Sequence, residues 1–392
     1  MAANTILTST AVTREVLRVL HEKLTFISTV IRSYDDSFAK TGAKIGDSLK
    51  IRLPNKYTVR TGKTLVPQDT HETSVTLTVA EQKGVDMNFS SAELTMDLDD
   101  FSERIIKPAM NVLASDIEGA MLTTVTPELY NTVGTPGTPP ADLLTALQAR
   151  VKLNQYLAPK DDQRCIQYES GSMAATVDGL KGLFQDSKEI SKQYTEGMMG
   201  RTAGFKWFEN ERAYVHQNGS DNVGITINDP SIVDGDNTII TAGGSVSVGS
   251  TFTFASVFAV HGETKQPYSH LQQFTLTAVA GNNWTFSPAL NSTGANQNID
   301  ALPVTLGAIV MTGGNDESII NNISYHKEAF AFASADLIVP QGLHFAAREN
   351  IDGLSIRIIR DYDINNDNLP CRLDILHGFK TLRPELGVRI VG

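Results

Sequence analysis

The chain has 392 residues, of which 41% are hydrophobic and 20% charged, with a formal net charge of -11. These values exclude wholesale disorder and leave room for two or three domains, each with its own core. The acidic balance argues against tight nucleic-acid binding, which needs clustered Lys and Arg. No apolar run approaches the roughly 20 residues needed to cross a bilayer, and the opening Met1-Ala2-Ala3-Asn4 carries no basic region. Neither a signal peptide nor a membrane partner is expected, and synthesis in a cytosol is.

The first element reads as a helix over Val12–Ile31. Val12, Val16, Leu20, Leu24, Ile27 and Ile31 recur every three or four residues, with Arg14, Glu15, Arg18, Glu22 and Lys23 opposite. Thr10 and Thr13 are candidate caps. Such a stripe must be buried, either in the chain's own core or on a neighbouring subunit. The period then changes to two. Leu49, Ile51 and Leu53 alternate with Ser48, Lys50 and Arg52, and Val75, Leu77 and Val79 alternate with Ser74, Thr76 and Thr78. Two such runs read as the arms of a hairpin. Their connection, Asn55 through Thr73, carries Lys56, Arg60 and Lys63 and few large apolar groups. Loops longer than about 12 residues are uncommon in compact domains and usually functional. This one cannot form its own core, so it reads as an arm that lies on a partner. Lys56, Arg60 and Lys63 are therefore the candidate contact residues, with a solvated charged loop as the alternative reading.

A short helix is expected after Ser90-Ser91. A long one should follow from Asp99 or Asp100 to Val125, roughly 40 Å in length, with a kink or restart at Pro108. The Gly/Pro-rich stretch Gly134–Pro140 is a loop. The next helix should bury Leu143, Leu144, Leu147, Val151 and Leu153. Asp161–Tyr168 reads as turn into strand, Met173–Leu183 as helix and Gln185–Gly204 as polar loop.

Composition shifts after Arg212. Between Ala213 and Thr312 the only Lys or Arg is Lys265, against six acids. Short alternating strands (Val223–Ile227, Thr251–Ala255, Phe274–Val279) are punctuated by Asp234-Gly235-Asp236, Gly243-Gly244 and Gly281-Asn282-Asn283. That is the pattern of a small all-β barrel or sandwich inserted into an α/β chain. Strands then return at Ala329–Val339, Ile356–Ile358 and Leu373–Ile375.

The residues offer little chemistry. There is no phosphate loop, dinucleotide turn, nucleophile elbow or His-Glu-x-x-His string. The eight histidines are scattered, and Asp35-Asp36, Asp99-Asp100 and Asp161-Asp162 fall at turns or helix starts, where carboxylates act as caps. Asp361-x-Asp363-x-Asn365-x-Asp367 matches the start of a calcium loop. It lacks the turn glycine (Asn366) and the closing glutamate (Arg372), so a polar loop is expected. Cys165 and Cys371 read as free, half-buried thiols. No cofactor, metal or catalytic residue is expected.

The order of parts resembles the major capsid (coat) protein of tailed double-stranded DNA bacteriophages, in the short-tailed subgroup with an inserted β-barrel. The strings Gly249-Ser-Thr-Phe-Thr-Phe-Ala-Ser-Val-Phe-Ala-Val, Leu271-Gln272-Gln273-Phe274, Cys371-Arg372-Leu373-Asp374-Ile375-Leu376-His377-Gly378 and Arg383-Pro384-Glu385 carry it. Gln185–Gly204 does not match part for part. The resemblance implies an α+β fold of the tailed-phage and herpesvirus capsid type. It would comprise an N-terminal arm (1–44), an extended β-hairpin loop (45–89), a peripheral domain with spine helix (90–137 and 320–392), an axial domain (138–212) and an inserted β domain (213–312). It implies a non-enzymatic protein that self-assembles into pentamers and hexamers of an icosahedral shell around phage DNA, with Lys50, Arg52, Arg60 and Lys63 as contacts between subunits. The shell would form in host cytoplasm, with a scaffolding protein and a portal ring as partners. A cellular encapsulating compartment and a phage tail protein are the alternatives.

Overall fold

The computed structural model describes residues 9–32, 47–68, 72–90, 105–180, 199–340, 342, 345–351, 354–363 and 368–392. Its helices are α1 (Ser9–Lys23), α2 (Lys107–Val125), α3 (Leu143–Gln155) and α4 (Ser170–Leu180). The chain divides into two units. One is Met1–Arg52 with Ser74–Met121 and Phe330–Lys380, and the other is Leu53–Thr73 with Leu122–Ala329 and Thr381–Gly392.

In the first unit, α1 buries Val12, Val16, Leu17, Val19 and Leu20 against the strands Phe345–Ile351 and Leu354–Arg360. Of the two burial sites open to the stripe, its own unit is the one occupied. The helix stops at Lys23 instead of reaching Ile31. The cause is the buried carboxylate of Glu118 on α2, which accepts the backbone N–H of Phe26 at 2.7 Å and of Ile27 at 3.2 Å. Those are donors that a continuing helix would need. The β-branched residues Ile27, Thr29, Val30 and Ile31 favour the change, since such side chains are stiff in helices. Ile31 then pairs in parallel with Ala331.

The strands Asp47–Arg52 and Ser74–Val79 form the expected antiparallel pair, from Asp47 opposite Val79 to Arg52 opposite Ser74. Ile51, Leu77 and Val79 are buried, and Lys50 and Arg52 lie on the exposed face. A strand not read from the sequence, Glu81–Ser90, runs beside Asn368–Thr381. The latter is the centre of a five-stranded sheet. Two close approaches depend on glycine: a Cβ at Gly84 would lie 2.3 Å from the Leu373 carbonyl oxygen, and one at Gly378 2.0 Å from that of Thr78. Asp374, buried in this sheet, accepts Arg357 Nη2 at 2.6 Å and Arg372 Nε at 2.8 Å. Burial pushes its carboxyl up, but these donors win and hold it below the usual range.

α2 is regular from Lys107, which places Pro108 in its first turn, where a missing N–H is tolerated. Its 19 residues span about 28 Å. The expected caps Asp99 and Asp100, and the expected helix after Ser91, lie outside the described residues.

In the second unit, a seven-stranded sheet has the order Thr132–Gly134, Gly387–Val391, Ser318–His326, Arg164–Tyr168, Phe205–Glu209, Arg201–Thr202, with Tyr214–Gln217 also on Ser318–His326. Arg164–Tyr168 is buried along its whole length. The end of the stretch expected as polar loop is a tight hairpin: Thr202 faces Phe205 across Ala203 and Gly204, both left-handed. α3 packs on Gly387–Val391 through Ala146, Ala149 and Leu153. Of the residues expected on that face Leu153 is buried, Leu143 and Leu147 are half-buried, and Leu144 and Val151 are exposed. Small side chains at three- and four-residue spacing form the flatter stripe that lies against a sheet.

The six-stranded sheet is ordered Ile309–Met311, Thr251–Val260, Pro267–Ala280, Asn283–Ser287, Thr238–Ala242, Thr226–Ile227. It closes into a barrel, because Ile309 N–H bonds Ile225 O at 3.0 Å and Thr226 bridges Ala308. Phe252, Phe254, Phe274, Phe286 and Trp284 fill it, with the four phenylalanine rings at centroid separations of 5.1 to 5.9 Å.

Arg389 joins barrel and sheet. It is fully buried on Gly387–Val391, donating Nη1 to Gly249 O at 2.6 Å and Nη2 to Pro127 O at 2.5 Å and Thr275 Oγ1 at 2.9 Å. Burial pushes its guanidinium down to about 9. Reciprocal bonds of 2.9 Å between the Thr132 backbone and the Gln273 amide reinforce the junction. Cys165 and Cys371 are fully buried rather than half-buried.

Two buried titratable groups, Arg389 and His377, lead to measurable expectations. Arg389→Ala removes three buried hydrogen bonds and leaves the Gly249 carbonyl without its donor, so it should cost about 3–5 kcal/mol in urea unfolding. Trp207 reports the sheet and Trp284 the barrel core. Single-tryptophan variants should unfold together with Arg389 present and separately without it. The second concerns His377, wholly buried and stacked on Phe332 at 5.8 Å, with neither ring nitrogen hydrogen-bonded. Burial, then Lys83, lowers it to about 4, while Asp116 acts in the opposite sense and the Glu81 carboxylate lies 3.7 Å away. A depressed imidazole leaves the unfolded chain holding more protons, so stability falls as pH drops from 6.5 through 4. His377→Phe should remove about 3 kcal/mol of that dependence in an acid titration of unfolding.

Candidate assembly surfaces

The loop from Leu53 to Gln68 has no helix or strand, and nearly all of it is exposed. A bond from Leu53 N–H to Thr73 O at 2.9 Å extends the hairpin ladder into its base. Ten residues apart, Thr58 and Gln68 clasp across it. Gln68 Oε1 accepts Thr58 N–H at 2.9 Å, and Gln68 Nε2 donates to Thr58 O at 2.6 Å. Within the tip, Arg60 Nη1 donates to the carbonyls of Gly62 and Thr64, with Gly62 left-handed at φ 98°. The loop therefore holds a defined shape without a core of its own.

The five expected contact residues fall into two sets. Lys50 and Arg52 share the outer face of one strand, while Lys56, Arg60 and Lys63 are exposed along the loop. Sequence reasoning missed the apolar part of this surface. Tyr57, Val59, Leu65 and Val66 all face outward, Val59 at 95% and Leu65 at 78% exposure. Their lack of periodicity was a usable signal, since isolated apolar residues between cations cannot form a buried face.

The groups with chemical potential are otherwise engaged. His216 is buried, with Nε2 2.9 Å from Ser250 Oγ and Nδ1 3.1 Å from Tyr214 OH. Burial and then Arg389 push it down to about 4. The Asp161 carboxylate lies 2.9 Å from His326 Nε2, and Asp162 pairs with Arg201. Burial raises the Cys371 thiol to about 12, far from thiolate reactivity. Among the described residues no group of three or more His, Cys, Asp or Glu could hold a metal ion, and no helix is long and apolar enough to cross a membrane. Asp361 and Asp363 are described, but residues 364–367 of the calcium-like string are not.

No curated protein sequence matches the chain significantly. Among solved structures, a chain of Mycobacterium phage Che8 is similar over 94% of this chain and 90% of its own, at 11% identity and TM-score 0.45. A chain of the capsid of Ralstonia phage GP4 is similar over 90% and 85%, at 7% identity and TM-score 0.45. The CUS-3 coat protein I-domain is similar over 22% of this chain and 93% of its own, at 27% identity and TM-score 0.20. A family profile described as "P22 coat protein - gene protein 5" matches residues 1–392. With its α+β fold, closed barrel and outward-facing loop, this chain belongs to the P22 coat protein family, the structural subunits of phage capsid shells.

Proposed function

We propose that the chain assembles as pentamers and hexamers of an icosahedral shell that encloses double-stranded DNA, and that the loop 53–68 is the arm by which one copy holds the next. The observation that carries this is the loop. It is pre-shaped by Thr58, Gln68 and Arg60, basic, and tipped with Val59 and Leu65, which are 95% and 78% exposed among the described residues. Head-to-tail contacts of such an arm on a distant face close into rings. Many modest contacts in a shell act together. A net charge of -11 suits a container that must not adhere to its contents.

In this reading Lys50, Arg52, Lys56, Arg60 and Lys63 are contact residues between subunits, and the protein acts without catalysis. A scaffolding protein and a portal ring are the further partners. Division into N-terminal arm (1–44), hairpin loop (45–89), peripheral domain (90–137 and 320–392), axial domain (138–212) and inserted domain (213–312) belongs to the same proposal. The bonds of Arg389 and Gln273 favour the inserted barrel as a brace for its own subunit.

Reversing Arg60 and Lys63 to Glu should abolish closed shells in electron microscopy while sedimentation shows a folded monomer. Because Arg60 also supports the loop's own backbone, Val59→Ser with Leu65→Ser provides a second test that leaves those bonds alone. It should raise the protein concentration needed for assembly by about a hundredfold. Normal shells from both double variants would refute the arm.

A further inference from the structure

One turn of the barrel departs from ordinary turn chemistry. Val304 to Gly307 is closed by Gly307 N–H to Val304 O at 2.9 Å, and its third residue, Leu306, has φ 66°. A left-handed third position ordinarily takes Gly or Asn, since a branched side chain is strained there. Leu306 is nonetheless 74% exposed, and Val304 68%. Both contributions oppose the isolated subunit: the backbone is strained, and the apolar side chains stay in water.

The surroundings make this a surface of definite chemistry. Asp229 O accepts Thr305 Oγ1 at 2.7 Å, and Asp229 Oδ2 accepts Ile240 N–H at 3.2 Å. The turn that carries Val304 and Leu306 and the strand that carries the exposed Ile240 thus meet at Asp229, the first through its backbone carbonyl and the second through its carboxylate, which Ser231 also caps. Asp234 and Asp236 follow on the same connection, between Thr226–Ile227 and Thr238–Ala242. The loop 53–68 has the complementary composition: Lys56, Arg60 and Lys63 with no acid, and Val59 and Leu65 exposed. Within one chain the two surfaces stay uncovered, so neither occupies the other.

We propose that the loop 53–68 of one copy seats on the patch of Ile240, Val304 and Leu306 around Asp229 on the barrel of a second copy. This rests on the shell reading and adds the receiving face. The apolar tips bury one another, and Arg60 and Lys63 meet the aspartates, so that charge sets the register while apolar burial supplies affinity. Leu306 is held outward because the contact requires it.

The test is disulfide capture in assembled shells. Cys165 and Cys371 are buried and will not compete. Chains carrying Leu65→Cys and chains carrying Val304→Cys are co-assembled and oxidised. A covalent dimer that requires both variants is expected on a non-reducing gel. Shells that form normally with no such dimer would overturn the receiving face and leave the shell reading standing. A dimer from either variant alone, or internal capture in a monomer bearing both, would also overturn it. A chain that forms no shells under any condition defeats both readings. Independently, Leu306→Asn should keep or raise the melting temperature by relieving the turn, while the concentration needed for assembly rises at least about tenfold. Unchanged assembly in Leu306→Asn would count decisively against the patch.

Discussion

The second unit depends on a buried cation without a carboxylate. Arg389 meets three oxygens from three separate places in the sequence: Gly249 at the entry to the barrel, Pro127 after α2, and Thr275 in the middle of the barrel's longest strand. Water cannot reach the guanidinium, so each of these acceptors is worth far more than on a surface. The same isolation makes the arrangement specific. A slipped strand register would move Arg389 to the other face and break all three bonds, leaving a buried charge and the Gly249 carbonyl unpaired. Gly249 is part of the fit, because its φ is 92° and a Cβ would lie 3.0 Å from Pro127. The barrel is thereby locked to the seven-stranded sheet, with Gln273 beside Arg389, and His216, beside Ser250, stays neutral partly because the Arg389 side chain is charged.

Glu118 does comparable work in the first unit with the opposite charge. Its carboxylate ends α1 by taking the N–H groups of Phe26 and Ile27. The chain then turns, and Ile31 joins the edge of Phe330–Ala335. A stripe that could have been an exposed arm is consumed by its own unit.

The legible parts were those with local causes. The period-two arms at Leu49–Leu53 and Val75–Val79, the two-sided patterning of the inserted strands, and the Gly281-Asn282 turn could all be read directly. The end of α1 could not, because its cause sits about ninety residues away at Glu118. The buried face of α3 was misjudged for a related reason: Leu144 and Val151 look like core, but the flat stripe of Ala146, Ala149 and Leu153 is what the sheet admits. Glu81–Ser90 was missed although Val85, Met87 and Phe89 alternate, since Gly84 and Asp86 mask the pattern. Of the candidate contact residues, the cations were found by their charge. Val59, Leu65 and Leu306 were not, since an exposed aliphatic carries no periodic signal.

The energetics explain why the loop is stiff. Burying Val59 and Leu65 yields about 3–6 kcal/mol. Ordering a floppy 16-residue loop on contact would cost on the order of 16–32 kcal/mol in backbone entropy. A flexible arm with this tip could not bind at all. The Thr58–Gln68 clasp and the Arg60 bonds to Gly62 and Thr64 move that ordering into the folding of the subunit, where the barrel and sheet supply the stability to meet it. The same bonds place Arg60 and Lys63 beside the apolar tips, where like charges keep free subunits from adhering tip to tip. In the proposed contact the partner is an acidic surface with its own exposed aliphatics, so the features that would let the loop bind also restrict what it could bind.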